Sequence, residues 1–555
     1  MKKNSKIFFF FFLALIILPF FLLLFRSNHS FMTHDGFYHF ERTFYYASSL
    51  LEGNIPPSWI RYYNYGSGSP ILLFLFPVPY WVSSLFYLLG LNLVVSVKLT
   101  FLFFLLIGVI SLYLFLRKSL GLSWTASLSG SLLYAYAPYT LVQIFVRGSL
   151  RELAGMAIFP LVMFFITKTA KKISISNCGL LGLVLGLFFL TDGISVVLFS
   201  LLAAAYLFYL LIRSREKLKF VLAIFSSLIL GLLNASYILL PFFGESQFLK
   251  WNTASLYQDH FVYFWQYFDP RWGFGFSMPG SWDGMSFQIG LVNIIALFSL
   301  IFLLLKKRIK QNLFIILLLI NLIVVFILMT YSPLSLFLWD KLKPLRNIQL
   351  AWRFLAVVVF ITAVFGGLVA NFLKIKKKSL ILIYFLVLLI SIKYLRTNQI
   401  VIFKNDYLFN HSEDATAFHE FIPVWRDSTT LGGFANKIEV ISGKATFSGE
   451  QASNNKITFN ANSADNSKIR LNTLYFPGWI ASVDKQEIPI SITDNKNKEP
   501  QEKRDISGFM QIEVPQGEHE ILFKFTDTPL RKLGKKLSII GVLISILLIG
   551  LKYLR

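Results

Sequence analysis

Apolar residues in this 555-residue chain come in unbroken blocks rather than in a stripe recurring every 3.6 residues, and several blocks reach the roughly 20 residues that cross a bilayer core. In lipid every backbone N–H and C=O must be satisfied within the protein, so blocks of this kind commit the chain to a bundle of helices. With 55% hydrophobic residues, 59 of them Phe, and 15% charged residues, it holds more apolar surface than one soluble core can bury. The first block, 7–25, follows Lys2, Lys3 and Lys6, and the Arg26-Ser27-Asn28-His29 after it offers no small-x-small cleavage pattern, so it reads as a retained anchor. Further spans are expected at 95–116, 124–145, 153–169, 177–191, 194–212, 219–241, 288–305, 312–330, 354–373, 379–394 and 537–553.

The stretch 71–91 is apolar as well, and the basic residues decide its status. Lys and Arg cluster at Arg117/Lys118, Lys168/Lys171/Lys172, Arg213 to Lys219, Lys306 to Lys310 and Lys374 to Lys378, with Lys2/Lys3 at one terminus and Lys552/Arg555 at the other. If 71–91 does not cross, every cluster falls on the N-terminal side, as cytoplasmic loops require, which gives about twelve spans with both termini cytoplasmic. Pro77 and Pro79 and the adjoining Tyr80-Trp81 suit a segment packed outside or re-entrant. The net charge of +24 is then largely used by cytoplasmic flanks facing the lipid bilayer, and no nucleic-acid partner is expected. One cysteine, Cys178, excludes an intrachain disulfide, and no metal framework, P-loop or nucleophile elbow occurs.

This topology puts 26–94, 242–287, 331–353 and 395–536 on the outer face. The first of these segments carries His34-Asp35-Gly36 and His39, a carboxylate between imidazoles that suits a general base or a cation site, although Asp-Gly is also an ordinary turn. Arg147 and Arg151, four apart, share a helix face and could hold phosphate oxygens; alternatively one pairs with Glu152 or reaches lipid headgroups. Asp192 in Thr191-Asp192-Gly193 reads first as a turn residue. Glu245 precedes a loop rich in aromatic rings, which stack on sugars but also populate membrane interfaces. Gln349 and Arg353 lie at the mouth of the span 354–373, where an arginine holds an anionic lipid group or anchors the helix end.

Beyond 430 the period changes. Segments 456–461, 468–475, 510–514 and 520–525 alternate or run as short strands between Gly, Pro, Asn and Asp, a β-sandwich pattern, with 515–519 as the turn into the last strand and 493–504 as a polar, flexible loop. The expected organisation is a helical membrane domain over 1–394 with its external loop 26–94, a linker over 395–430, an extracytoplasmic β-sandwich over 431–530 and a final membrane helix over 531–555.

His34-Asp35-Gly36 with His39, the Arg147-Gly-Ser-Leu-Arg-Glu152 run, and Ile348-Gln349-Leu-Ala-Trp352-Arg353-Phe354 together resemble the bacterial multi-pass 6-pyruvoyl-tetrahydropterin synthase-related membrane domain, over roughly residues 1–430. Tyr475-Phe476-Pro477-Gly478-Trp479, the Pro515-Gln-Gly-Glu-His519 turn and the returning helix are similar to YfhO-like membrane proteins of lipoteichoic-acid glycosylation. The soluble pterin enzyme's zinc-binding histidine triad has no counterpart here, so the label does not imply its activity.

Both groups look like relatives of the C-type (GT-C) glycosyltransferases, which implies a GT-C-like membrane domain in a bacterial cytoplasmic membrane and sugar transfer with inversion. The donor would be a polyprenyl-phosphate-linked sugar and the acceptor an envelope glycan, lipid or protein. The resemblance makes Asp35 the catalytic residue and puts Arg147, Arg151 and Arg353 on the donor phosphate. His34, His39, Glu152, Asp192, Glu245 and Gln349 become supporting or substrate-binding residues, and 71–91 shapes the lipid's access. No cofactor is implied and no metal ligands are assigned, with room left for a divalent cation. The chain departs from the pattern by a single Asp-Gly in place of an Asp-Glu pair, and by Thr-Asp-Gly at 191–193 in place of His-Pro or His-Gly. The rival readings are a lipid-linked glycan transporter, which needs polar residues through the midplane, and an envelope-assembly scaffold, for which Asp35 is dispensable.

Overall fold

The computed structural model describes residues 3–250, 256–309, 312–403, 408, 420–427, 433–434, 436–495 and 505–551. Most of the expected linker beyond 403, residues 496–504 of the expected loop, Lys2, Lys310 and the Lys552/Arg555 cluster lie outside the described residues.

In chain order the helices are α1 (Lys3–Leu24), α2 (Gly36–Leu51), α3 (Val78–Leu88), α4 (Leu93–Leu114), α5 (Trp124–Tyr136), α6 (Pro138–Phe145), α7 (Leu150–Lys171), α8 (Ile175–Phe189), α9 (Gly193–Arg213) and α10 (Lys217–Glu245). They continue with α11 (Leu291–Leu305), α12 (Leu313–Met329), α13 (Pro333–Lys341), α14 (Lys343–Arg346), α15 (Leu355–Phe372), α16 (Lys377–Ser391) and a C-terminal helix (Pro529–Gly550). Each predicted span coincides with helix, but among the described residues seven helices, rather than twelve, are long and apolar enough to cross a membrane. Helices α8, α11 and α12 are apolar but shorter. The span expected at 124–145 is broken into α5 and α6 at Ala137, whose extended backbone (ψ 135°) is what the following Pro138 demands. Helix α3, within 71–91, has 11 residues, roughly 16 Å against a core of roughly 30 Å, and packs on α2 and α4.

The basic segments gather at one end of the bundle. Lys171 Nζ donates to the Lys118 carbonyl (2.7 Å), Thr125 Oγ1 donates to the Ile375 carbonyl (2.6 Å), and Lys377 lies 5.3 Å from the Phe8 ring and 5.8 Å from the Trp124 ring. Loop one, the start of α7 and the start of α15 occupy the opposite end.

Strands β1 (Ser30–Phe31) and β2 (Ile400–Val401) pair antiparallel and tie loop one to the exit of α16. The remaining strands are β3 (Ile438–Ser442), β4 (Ala445–Ser453), β5 (Lys456–Ser463), β6 (Ser467–Leu474), β7 (Trp479–Val483), β8 (Gln486–Ile488), β9 (Ser491–Ile492), β10 (Phe509–Val514) and β11 (Gly517–Phe525). They form two antiparallel sheets, ordered β3-β6-β10-β9 and β4-β5-β11-β7-β8. Inward residues of both, among them Ile469, Leu471, Ile512, Phe459, Ile521 and Phe523, share one hydrophobic core, which makes a sandwich.

That core does not end at the sandwich. Trp59 of loop one, 1% exposed, lies 5.3 Å from the Trp479 ring and 4.9 Å from the Phe525 ring, and Tyr45, Tyr63 and Ile71 join the same cluster. The Leu474 amide donates to the Ser67 carbonyl (2.8 Å), so the sandwich is seated on loop one by backbone as well as side chains.

Candidate functional site

Loop one meets the α6–α7 turn through its backbone: the amides of His34 and Asp35 donate to the carbonyls of Val146 (3.1 Å) and Arg147 (2.8 Å). Asp35 occupies the N-cap position of α2, yet its carboxylate makes no capping bond. Thr33 supplies the cap, its Oγ1 accepting from the Gly36 amide at 3.0 Å. Two glycines make this approach fit. A Cβ on Gly36 would lie 2.2 Å from Thr33 Oγ1, and one on Gly148, whose φ of +64° is left-handed, would lie 2.3 Å from the same atom. The Asp35 carboxylate is therefore half-buried and, among the described residues, takes no hydrogen bond or ion pair, so the turn-residue reading does not use it up.

The two histidines divide roles. His39 is buried, with Nε2 donating to the Gly148 carbonyl (2.7 Å) and Nδ1 free to accept from the Tyr80 hydroxyl (2.9 Å). Burial, with the Arg42 cation adding to it, pushes its pKa down to about 3, so it is a neutral staple between α2 and the α6–α7 turn rather than a substrate ligand. His34 is half-buried, bonded through Nε2 to the Phe274 carbonyl (3.1 Å) and 4.3 Å from the Phe276 ring, and burial lowers its pKa too. The segment before α11 thus roofs the Asp35 turn, and Phe287 from the same segment lies 5.6 Å from the Trp352 ring.

Beside the turn lies a buried polar cluster. Glu152, in the first turn of α7, accepts from Arg147 Nη1 (2.6 Å), Gln143 Nε2 (2.7 Å) and the Tyr139 hydroxyl. Arg147 also donates to Gln143 Oε1 (2.8 Å) and sits 4.6 Å from the Trp352 ring. Against the expectation that Arg147 grips the donor phosphate, its Nη1 is held by both Glu152 and Gln143 inside the protein, the alternative pairing that the spacing left open. Arg353 differs. Its Nη1 donates to the Ile348 carbonyl (2.9 Å) and Gln349 Oε1 (3.3 Å), with Gln349 in left-handed backbone (φ +68°), but Nε stands 3.8 Å from Glu152 and is buried with no hydrogen-bond partner among the described residues. The adjacent Trp352 Nε1 is another such donor. Arg151, half-buried on the first turn of α7, makes no hydrogen bond or ion pair among the described residues.

Two other expected members are held by internal partners, Asp192 within electrostatic reach of Arg353. Asp192 is buried and caps α9, Oδ2 accepting from the Ser195 amide (3.0 Å) and hydroxyl (2.7 Å), which is the turn role. Glu245 is removed from the site by its partners: it accepts from Arg531 Nε and Nη2 (2.8 Å each) and Thr528 Oγ1 (2.6 Å), and Arg531 also donates to the Pro477 carbonyl (2.7 Å). It therefore locks α10 to the C-terminal helix and the sandwich, and does not face a substrate. Sequence reasoning missed Thr33, Tyr139 and Gln143, and also Lys98, which is buried in α4 and donates to the carbonyls of Ser27 (2.8 Å) and His29 (2.7 Å) to hold the exit of α1. Among the described residues no three His, Cys, Asp or Glu side chains are grouped to hold a metal ion.

Comparison with solved structures finds the oligosaccharyltransferase of Archaeoglobus fulgidus. The form tethered by a disulfide to an acceptor peptide with an NVT sequon has TM-score 0.43 and 10% identity, over 75% of this chain and 56% of that one. The apo form has TM-score 0.42 and 11% identity, over 72% and 57%. The chain thus spans just over half the length of these proteins, and no curated protein matches its sequence. The profile of the 6-pyruvoyl-tetrahydropterin synthase-related domain, described as a membrane protein, matches residues 72–400. That match takes in the Arg147–Glu152 turn, the roof segment and Gln349–Arg353, more than half of the chain, and the protein belongs to the 6-pyruvoyl-tetrahydropterin synthase-related family of membrane proteins.

Proposed function

We propose that the protein is a membrane glycosyltransferase that moves a sugar from a polyprenyl-phosphate donor to an extracytoplasmic acceptor of the bacterial envelope, with Asp35 as the general base. The observation that carries this reading is the Asp35 carboxylate, partly open and unpaired among the described residues, on a turn tied to the segment that bears Arg151. In the reaction the acceptor hydroxyl gives its proton to Asp35 as its oxygen attacks the anomeric carbon. The bond from that carbon to the phosphate oxygen breaks, the electron pair leaves with the lipid phosphate, and the configuration inverts.

Negative charge grows on the departing phosphate, and donors that need no reorganisation lower the barrier most. Arg151 has no internal partner among the described residues, and Arg353 Nε and Trp352 Nε1 are buried donors without acceptors there, a state that costs about 1–3 kcal/mol each and that phosphate oxygens would relieve. Glu152 and Arg147 position this pair rather than bind substrate. The segment around Phe274 and Phe276 packs on His34 beside the base. A panel of radiolabelled polyprenyl-phosphate sugars, incubated with purified protein and envelope acceptors, tests the reading. One donor should yield a glycoside of opposite anomeric configuration together with free lipid phosphate; retention of configuration, or no transfer from any donor, would remove Asp35 from the role of base.

A further inference from the structure

At the basic end of the bundle, α4 does not stop as an α-helix but widens into a π-helical turn, Phe115–Ser119, the kind of local expansion common at functional sites. The turn carries Lys118 and Ser119 to the rim of a cavity of about 630 Å3, within the range of roughly 300–1,000 Å3 typical of small-ligand sites. The last turn of α7 brings Lys168 and Lys171, and Lys172 follows; no carboxylate lines the space among the described residues. Ser119 is a lining residue as well, half-buried at the end of the π turn.

The N-terminus of α8 completes the wall. Ser174 caps it by accepting from the Asn177 amide (3.3 Å), so the free amides of the first turn and the positive end of the helix dipole add to the four lysines. The other wall, Leu114 and Phe164, is apolar and half-buried. A ligand matching this space has a phosphate at one end and hydrocarbon at the other.

We propose that this cavity binds the phosphate headgroup of an anionic glycerophospholipid from the leaflet beside the chain's N-terminus, its acyl chains running past Leu114 and Phe164. The site lies at the opposite end of the bundle from Asp35 and does not depend on the glycosyltransferase reading. Basic flanks attract anionic lipid diffusely; a concave site lined by four lysines and an apolar wall selects one lipid and holds it.

The test is native mass spectrometry of the full chain released from nanodiscs of phosphatidylcholine and phosphatidylglycerol. Wild type should retain phosphatidylglycerol in preference to phosphatidylcholine, and millimolar inorganic phosphate should not displace it. Lys118→Gln/Lys168→Gln/Lys172→Gln should weaken that preference about tenfold or more, while Lys374→Gln/Lys376→Gln/Lys378→Gln, with the same loss of charge outside the cavity, should keep it. Equal effects of the two triple variants, no preference in wild type, or displacement by phosphate would overturn the proposal. If the first variant does not fold, a photoactivatable phosphatidylglycerol on wild type decides the matter: adducts on 114–119 and 164–177 support the site, and adducts elsewhere refute it.

Discussion

Replacing Glu152 by Gln tests whether the polar cluster under the Asp35 turn is built as described. The carboxylate is the only negative charge hydrogen-bonded to Arg147 among the described residues, at 2.6 Å, with the two side chains 4% and 6% exposed. Removing the charge while keeping the shape leaves a buried guanidinium without its counter-ion and turns an acceptor toward Gln143 into a competing donor. Breaking one half of a buried pair costs about 3–5 kcal/mol, whereas exchanging both partners for well-packed apolar groups is often close to neutral. Glu152→Gln should therefore lower thermal stability in detergent more than the double variant Glu152→Met/Arg147→Met, which removes the Arg147 cation but still leaves Arg353, 3.8 Å from Glu152, without its carboxylate. Fluorescence-detected size exclusion after a heating series reads the effect on crude solubilised protein. No loss in Glu152→Gln would refute the claim that Arg147 is held internally and would return it to the substrate.

Three further outcomes follow from other contacts. Gly36→Ala sets a methyl 2.2 Å from the Thr33 oxygen that caps α2; it should displace Asp35 and cost up to about 100-fold in transfer with folded yield retained, and undiminished transfer contradicts this. Trp59→Ala opens the joint between loop one and the sandwich at a cost of about 3–5 kcal/mol, visible as faster proteolysis of the sandwich than in wild type. His39 has a folded pKa of about 3 against an ordinary 6.5, so below about pH 6.5 the unfolded chain takes up a proton that the folded chain refuses. Its contribution is constant above pH 6.5 and is lost as pH falls toward 3, by about 1.4 kcal/mol per unit. His39→Gln should flatten the pH dependence of thermal stability between pH 7 and 5, and an unchanged slope would show that His39 is not held neutral.

The helices were legible because lipid enforces long apolar blocks, and residues 71–91 were separated from them by the one-sided distribution of the basic clusters, with Pro77 and Pro79 in support. The interruption at Pro138 was visible in the same way but was read through as one span. Strands β5, β6 and β10 fell where the pattern placed them, since each turns one face to the sandwich core, whereas β11 begins at Gly517, inside the expected turn 515–519, because Gly517 to His519 already pair with β5. Helix α2 was not anticipated, because its aromatic face packs beneath the sandwich and looked like an irregular loop. In the site, Asp35, Arg151 and Arg353 stood out as charges beside apolar spans. Tyr139 and Gln143 did not, being neutral residues inside one, although they orient Glu152. Glu245 was misplaced because its partner Arg531 is 286 residues away and no local pattern pairs them.

Asp35 carries the account, and Asp35→Asn removes its basicity while leaving its size and its backbone bond to Arg147 intact. The decisive measurement is transfer of radiolabel from a polyprenyl-phosphate sugar by wild type and Asp35→Asn protein at equal folded yield. The account predicts transfer by wild type and a loss of about 100-fold or more in the variant; transfer at the wild-type rate by Asp35→Asn would contradict it.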